Sequence, residues 1–185
     1  MNRYEVRLSG SGGQGLILAG KILAEAVAIY DGRNAVQTQS YGPEARGGAS
    51  KAEVVISDGE IDYPKAIELD VLLALTQESC GKYACDLKTG GILIVDSDWV
   101  NQLPDGDFRV FSAPIGRIAV ERVGKAVVTN IVALGILTRL SGAATEESVR
   151  KAIRARVPRG TEEINMKAFD EGVKVAAGLL DTPGN

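Results

Sequence analysis

Apolar Tyr4, Val6 and Leu8 alternate with polar Arg3, Glu5, Arg7 and Ser9, the period of a strand with one face turned inward. The run Gly10-Ser11-Gly12-Gly13-Gln14-Gly15 breaks that alternation, and residues 16–30, rich in Ala, Leu and Ile, then read as a helix. Residues 34–41 and 52–58 are predicted strands; the segment between them, from Gly42 to Ser50, is too long for a tight hairpin turn. Residues 70–76 form a nearly continuous apolar run, as expected of a strand buried on both faces. A helix over 77–87, a strand over 92–96 after Gly90-Gly91, a strand over 108–113 and a helix over 115–123 behind Pro114 complete this part. The last third reads as helical. Helix 131–140 has Thr129 or Asn130 as its N-cap and Gly142 as its stop, with Gly135 read as a packing position. Thr145, Glu146 and Glu147 open the next helix, Pro158 stops it, and residues 164–180 form the last.

Strands alternating with helices predict an α/β domain spanning residues 1–185. Its architecture is an open, mostly parallel Rossmann-like sheet with helices on both faces and a helical C-terminal third. In such sheets ligands gather beyond the carboxyl ends of the strands. That places Gly10 to Gly15, the end of Gln39-Ser40-Tyr41 and the turn after Thr76 along one rim.

The glycine run is chemically the most suggestive of these. Strand, glycine turn and helix bring bare backbone N–H groups and the positive end of a helix dipole to one point, which attracts phosphate. Gly10, Gly12 and Gly15 satisfy G-x-G-x-x-G, a pattern that is weak by itself. A dinucleotide site also needs an acid at the end of the second strand; residues 34–41 end without one, and Asp31 precedes them. A phosphate turn, with Gly13 and Gln14 at its tip, and a purely structural turn both remain open. The second constellation is Gln39-Ser40-Tyr41-Gly42-Pro43-Glu44-Ala45-Arg46-Gly47-Gly48. Arg46 offers a planar fork of donors to phosphate or carboxylate, and Gly47 and Gly48 permit close approach of another backbone. The alternative is an ion pair of Arg46 with Glu44 or Glu53 that orders a loop.

Composition narrows the chemistry. The 185 residues carry 45% apolar and 24% charged side chains, the balance of a globular domain, and no apolar run is long enough to span a bilayer. A net charge of −3 gives no general attraction to nucleic acid or anionic membranes, and the N-terminus lacks the apolar core of a signal peptide. A cytoplasmic location is the expectation. With no histidine the usual general base and commonest metal ligand are missing. Two cysteines, Cys80 and Cys85, cannot furnish an iron–sulfur cluster and read as idle thiols. The basic run Arg150 to Arg159 reads as a solvated helix face, and Trp99 and Tyr83 as packing residues. No catalytic and no metal-binding residue is assigned.

Taken together, GSGGQG and QSYGPEARGGASKAEVVIS resemble the gamma subunit of the 2-oxoacid:ferredoxin oxidoreductases. The resemblance continues through LLALTQE, GGILIVDSD, TNIVALGIL and INMKAFDEG, so it covers nearly the whole chain. The 2-oxoglutarate type is the most similar, with the pyruvate and branched-chain (2-ketoisovalerate) types close. The resemblance implies CoA-dependent oxidative decarboxylation of a 2-oxoacid to acyl-CoA and carbon dioxide, with two electrons passed to ferredoxin. It further implies that thiamine pyrophosphate, magnesium and iron–sulfur clusters lie on partner subunits (alpha, beta and, in some members, delta), and that this chain handles CoA. The residues it points to are Gly10, Gly12, Gly13, Gln14, Gly15, Ser40, Tyr41, Arg46, Gly47 and Gly48, against either CoA or a partner subunit. The isolated chain is inactive on this reading and could form a homodimer; the competing reading is a free-standing CoA- or nucleotide-binding module.

Overall fold

In the computed structural model, which describes residues 3–40 and 49–181, six strands form one sheet in the order β2-β3-β1-β4-β5-β6. They are β1 (Tyr4–Ser11), β2 (Asn34–Ser40), β3 (Ala49–Ser57), β4 (Leu69–Ala74), β5 (Leu87–Asp96) and β6 (Arg109–Ala113). The pairings β1–β4, β4–β5 and β5–β6 are parallel, as the βα alternation predicts. Strand β3 runs antiparallel to both β1 and β2, so the sheet is mixed and its N-terminal half departs from the parallel pattern. The reason is local. Only residues 41–48 separate β2 from β3, too few for the crossover of a dozen or more residues that a parallel pair needs.

The inward alternation of the strands divides the apolar side chains into two layers. Val6, Leu8, Val54, Ile56, Val71, Leu73, Ile92 and Ile94 face the larger core. Over them pack α1 (Leu16–Glu25), α3 (Ile115–Ile118), α4 (Thr129–Ser141), α5 (Glu146–Arg156) and α6 (Glu162–Leu180). The opposite face of the sheet carries Leu72, Ala74, Leu93 and Val95, covered by α2 (Gln77–Tyr83) and Val100. Helices therefore lie on both faces, but very unequally. Helix α4 is buried over most of its circumference because it is sandwiched between the sheet and α6.

The glycines at the α4–α6 crossing explain how the two backbones come so close. A Cβ on Gly135 would run into the Phe169 carbonyl oxygen and Gly172, and one on Gly172 into the Val132 carbonyl. Gly142 ends α4 in the left-handed region, as the sequence predicts. The N-cap expectation for the same helix is overturned. Neither Thr129 nor Asn130 caps it; a tighter turn over Ala126–Val128 leads directly into Thr129. The helix expected over 77–87 is α2 followed by a short 3-10 turn, and the fifth strand starts at Leu87, earlier than its apolar run indicates.

Under the minor face lies a buried ionic group. Arg7, 3% exposed, donates to Glu53 at 2.8 Å and pairs with Asp86, and its guanidinium stands 4.9 Å from the centre of the Tyr83 ring. Lys51 and Thr38 supply further donors to Glu53, at 2.7 and 3.3 Å. Burial pushes the Glu53 carboxyl up, but Lys51 and Arg7 outweigh it and hold the group below the ordinary glutamate range. Both oxygens of Glu53, one of two carboxylates the sequence offers to Arg46, are thus already engaged.

Candidate functional site

The turn after β1 begins with a clamp. Leu75 N–H donates to the Ser9 carbonyl and the Ser9 hydroxyl to the Leu73 carbonyl, both at 2.9 Å, which ties the ends of the two parallel central strands together. The Gln14 side chain then folds back, its Oε1 accepting the Ser11 N–H at 2.8 Å. Gly10 leaves room for that fold, since a Cβ there would displace Gln14 Oε1 and crowd Leu16 and Leu75. Gly15 is required twice over: it sits at φ +72° as the N-cap of α1, and a Cβ would lie 2.6 Å from Asn130 Nδ2. Gly13 has φ +86°. Gly12 has neither constraint: its φ is unexceptional and a Cβ would meet nothing within 4 Å.

Asn130 reaches this turn from the first turn of α4. Its Nδ2 donates to the Gly15 carbonyl at 3.0 Å, and its Oδ1 is buried without a hydrogen-bond partner among the described residues. The residue expected to cap its own helix instead braces the glycine turn, which holds the N-termini of α1 and α4 side by side. Two helix dipoles thus present their positive ends near one loop of exposed backbone.

Beside the turn opens a cleft of about 670 Å³. Gly13 and Gln14 form one wall, Asp96, Asp98 and Trp99 from the end of β5 another, and Gly116, Arg117, Val120, Val127 and Thr129 the far side. Asp96 is buried and accepts the N–H groups of Gly116 at 2.8 Å and Asp98 at 3.1 Å, so it pins the start of α3 to the end of β5. Burial pushes its carboxyl up, against the pull of those N–H groups. Arg117 and Asp98 make a two-pronged pair at 3.1 and 2.5 Å. Trp99, Val120 and Val127 stand on the rim at 64%, 53% and 78% exposure, an apolar border open to a partner or a planar ring. A hollow of about 720 Å³ between α5 and α6 is larger, but Glu162, Glu163, Lys167 and Lys174 make it a trough between solvated, charged faces.

Of the residues singled out in the sequence, Gly13 and Gln14 line the cleft and Gly10, Gly12 and Gly15 shape its turn. Ser40 comes to the same rim, since it pairs with Lys51 and Lys51 with Ser9, but two strands away and outside the cleft. Tyr41, Arg46, Gly47 and Gly48 lie outside the described residues. Their flank is described: Ala49 pairs with Ser11, and the Ser50 hydroxyl donates to the Ser11 carbonyl at 3.3 Å, so the segment returns to the sheet beside the glycine turn. Asp31 is occupied elsewhere, accepting the Thr145 hydroxyl at 2.7 Å and the Ser148 hydroxyl at 2.6 Å, which leaves the dinucleotide reading without its acid. Cys80 is buried in the smaller core and Cys85 exposed, and among the described residues no group of three His, Cys, Asp or Glu is placed to hold a metal ion. Sequence reasoning missed Asp96, Arg117 and Asn130, and took Trp99 for packing. The signals were a carboxylate closing an apolar strand and a single tryptophan in a polar stretch.

A mixed sheet with a glycine turn and an open cleft at its carboxyl rim defines a ligand- or partner-docking α/β domain. Residues 5–175 match the model of the pyruvate ferredoxin/flavodoxin oxidoreductase family, and the chain belongs to that family. It is 54% identical over 179 residues to the 2-oxoglutarate synthase subunit KorC of Methanocaldococcus jannaschii, covering 96% of both chains. Among solved structures it is similar to the gamma subunit of a keto/oxoacid ferredoxin oxidoreductase from Geobacter sulfurreducens. That match has a TM-score of 0.90 and 53% identity, and covers 97% of this chain and 99% of the other. The fold recurs at 22% identity and a TM-score of 0.84 in the 2-oxoglutarate:ferredoxin oxidoreductase of Magnetococcus marinus, solved with 2-oxoglutarate, coenzyme A and succinyl-CoA. The match covers 96% of this chain and 32% of that one.

Proposed function

We propose that this chain is the gamma subunit of a cytoplasmic 2-oxoglutarate:ferredoxin oxidoreductase, and that its glycine turn seats the phosphorylated part of CoA. The reaction converts 2-oxoglutarate, CoA and oxidised ferredoxin to succinyl-CoA, carbon dioxide and reduced ferredoxin. Thiamine pyrophosphate with magnesium, and iron–sulfur clusters, supply the carbanion and electron-transfer chemistry from the alpha, beta and, where present, delta subunits. This chain's contribution is orientation and charge. The backbone of Gly12, Gly13 and Gly15 at the head of α1 offers donors to a phosphate, and the Arg46 guanidinium is the proposed second anchor. Trp99 and Val127 on the opposite rim suit the flat, less charged end of the cosubstrate or the wall of a partner subunit.

The observation that carries this reading is the open space over Gly12. Among the described residues nothing needs a glycine there, whereas a ligand touching the backbone would. In the assembled enzyme, Gly12→Ala is expected to raise KM for CoA roughly tenfold while kcat at saturating CoA changes little, as for lost ground-state binding. The melting temperature of the chain should stay put. Unchanged KM for CoA in both Gly12→Ala and Arg46→Ala would refute the seat. Failure of the native chain to co-purify with iron and thiamine would refute the subunit assignment separately.

A further inference from the structure

Two side-chain amides meet at the head of α1, and backbone chemistry fixes which atom of each is engaged. Gln14 takes the Ser11 N–H at 2.8 Å. Only the amide oxygen can accept that hydrogen, so Oε1 is spent there and the –NH2 end is left for another partner. Asn130 is the mirror case. Its partner is the Gly15 carbonyl, which only accepts, so Nδ2 is spent and Oδ1 is left over.

The remaining groups are unbalanced. Among the described residues Gln14 Nε2 has no hydrogen-bond partner, and the side chain lines the cleft beside Gly13. Asn130 is 4% exposed, and a buried acceptor without a donor costs free energy until a water or a ligand supplies one. Gln77, in the turn after β4, shows what a purely structural amide does here. Its Oε1 accepts the Asn101 and Gln102 N–H groups, both at 2.9 Å, and its Nε2 donates to the Gln102 carbonyl at 2.8 Å, so both ends are used within the chain. Gln14 uses one end only, and its free donors stand at the start of a ten-residue helix whose dipole adds to their pull on an anion.

We infer that Gln14 has two jobs in the CoA seat: Oε1 holds the turn through Ser11, and Nε2 donates to a phosphate oxygen of the cosubstrate. This role rests on the CoA reading of the turn and gives the seat a side chain as well as backbone. A backbone N–H cannot be exchanged by mutation, whereas this donor can be turned into an acceptor with almost no change of shape, by Gln14→Glu.

Kinetics and melting of the assembled enzyme test the two jobs separately. In Gln14→Glu one carboxylate oxygen still accepts the Ser11 N–H, and an acid at a helix N-terminus is favourable, so the melting temperature should hold. The other oxygen puts negative charge where the donor stood. The KM for CoA should rise at least about tenfold, while the KM for 2-oxoglutarate stays. Gln14→Met keeps the length of the side chain but neither accepts nor donates well; it should melt lower than Gln14→Glu and raise the KM for CoA less. The two rankings thus cross, with Glu worst for CoA and Met worst for stability. A merely structural Gln14 would give one ranking, with Glu close to wild type in both. A wild-type KM for CoA in Gln14→Glu overturns the inference, and so does a loss of melting temperature or assembly as large as that of Gln14→Met. If Gly12→Ala raises the KM for CoA where Gln14→Glu does not, the seat stands and the Gln14 role alone falls; if neither does, both fall.

Discussion

Gly10, Gly12 and Gly15 share one motif but answer to different demands. Gly10 and Gly15 make room for Gln14 and Asn130, so the fold accounts for them; Gly12 faces open space among the described residues, and the proposed CoA seat is what would require it. The motif was legible in the sequence, but this division was not, because it depends on Asn130 arriving from a position 115 residues away. Arg7 and Glu53 were likewise hidden. They occupy alternating strand positions that normally read as solvent-facing, yet the two are 3% and 4% exposed, with Arg7 stacked on Tyr83. Because Glu53 titrates below its ordinary range when folded, it stabilises the native state at neutral pH. That contribution is lost as pH falls from the usual glutamate range through the lowered value. Glu53→Gln should therefore cost about 3 kcal/mol at pH 7, and the cost should shrink as the pH of thermal denaturation experiments is brought below about 4. A constant difference across that range would contradict the ionic account.

Among the elements, the strands β1, β4, β5 and β6 and the helices after Thr145 were readable from period and capping alone. Thr145 does cap α5, accepting the Ser148 N–H at 3.2 Å. The basic run on α5 is the solvated face the sequence indicates, tied down at three points. Arg150 pairs with Asp170 of α6, Arg156 with Glu25 of α1, and Lys151 with Glu147 on the same helix. The direction of β3 was not readable, since two short strands joined by a long loop leave the pairing undetermined. The α4–α6 crossing gives the sharpest test at this scale. Gly135→Ala gains about 1 kcal/mol of helix propensity in isolation, but here it must separate two helices. A net loss of about 2 kcal/mol or more is expected, read as a lower melting temperature. A stabilised variant would mean the helices do not touch at Gly135.

For the molecule as a whole, the sheet order brings the glycine turn, the end of β5 and the start of α4 to one rim, and that rim holds the cleft. Its general place followed from α/β topology; its wall of Asp96, Asp98, Trp99 and Arg117 did not, because those residues meet only after β5 and β6 pair. The chain carries one tryptophan, and it stands on that wall, so its emission reports on whatever enters. Titrating the full chain with CoA while following Trp99 fluorescence is the most direct measurement. The account predicts a saturable change in the wild type and binding at least about tenfold weaker in Gly12→Ala. A flat wild-type titration, or identical curves for the two proteins, would contradict it.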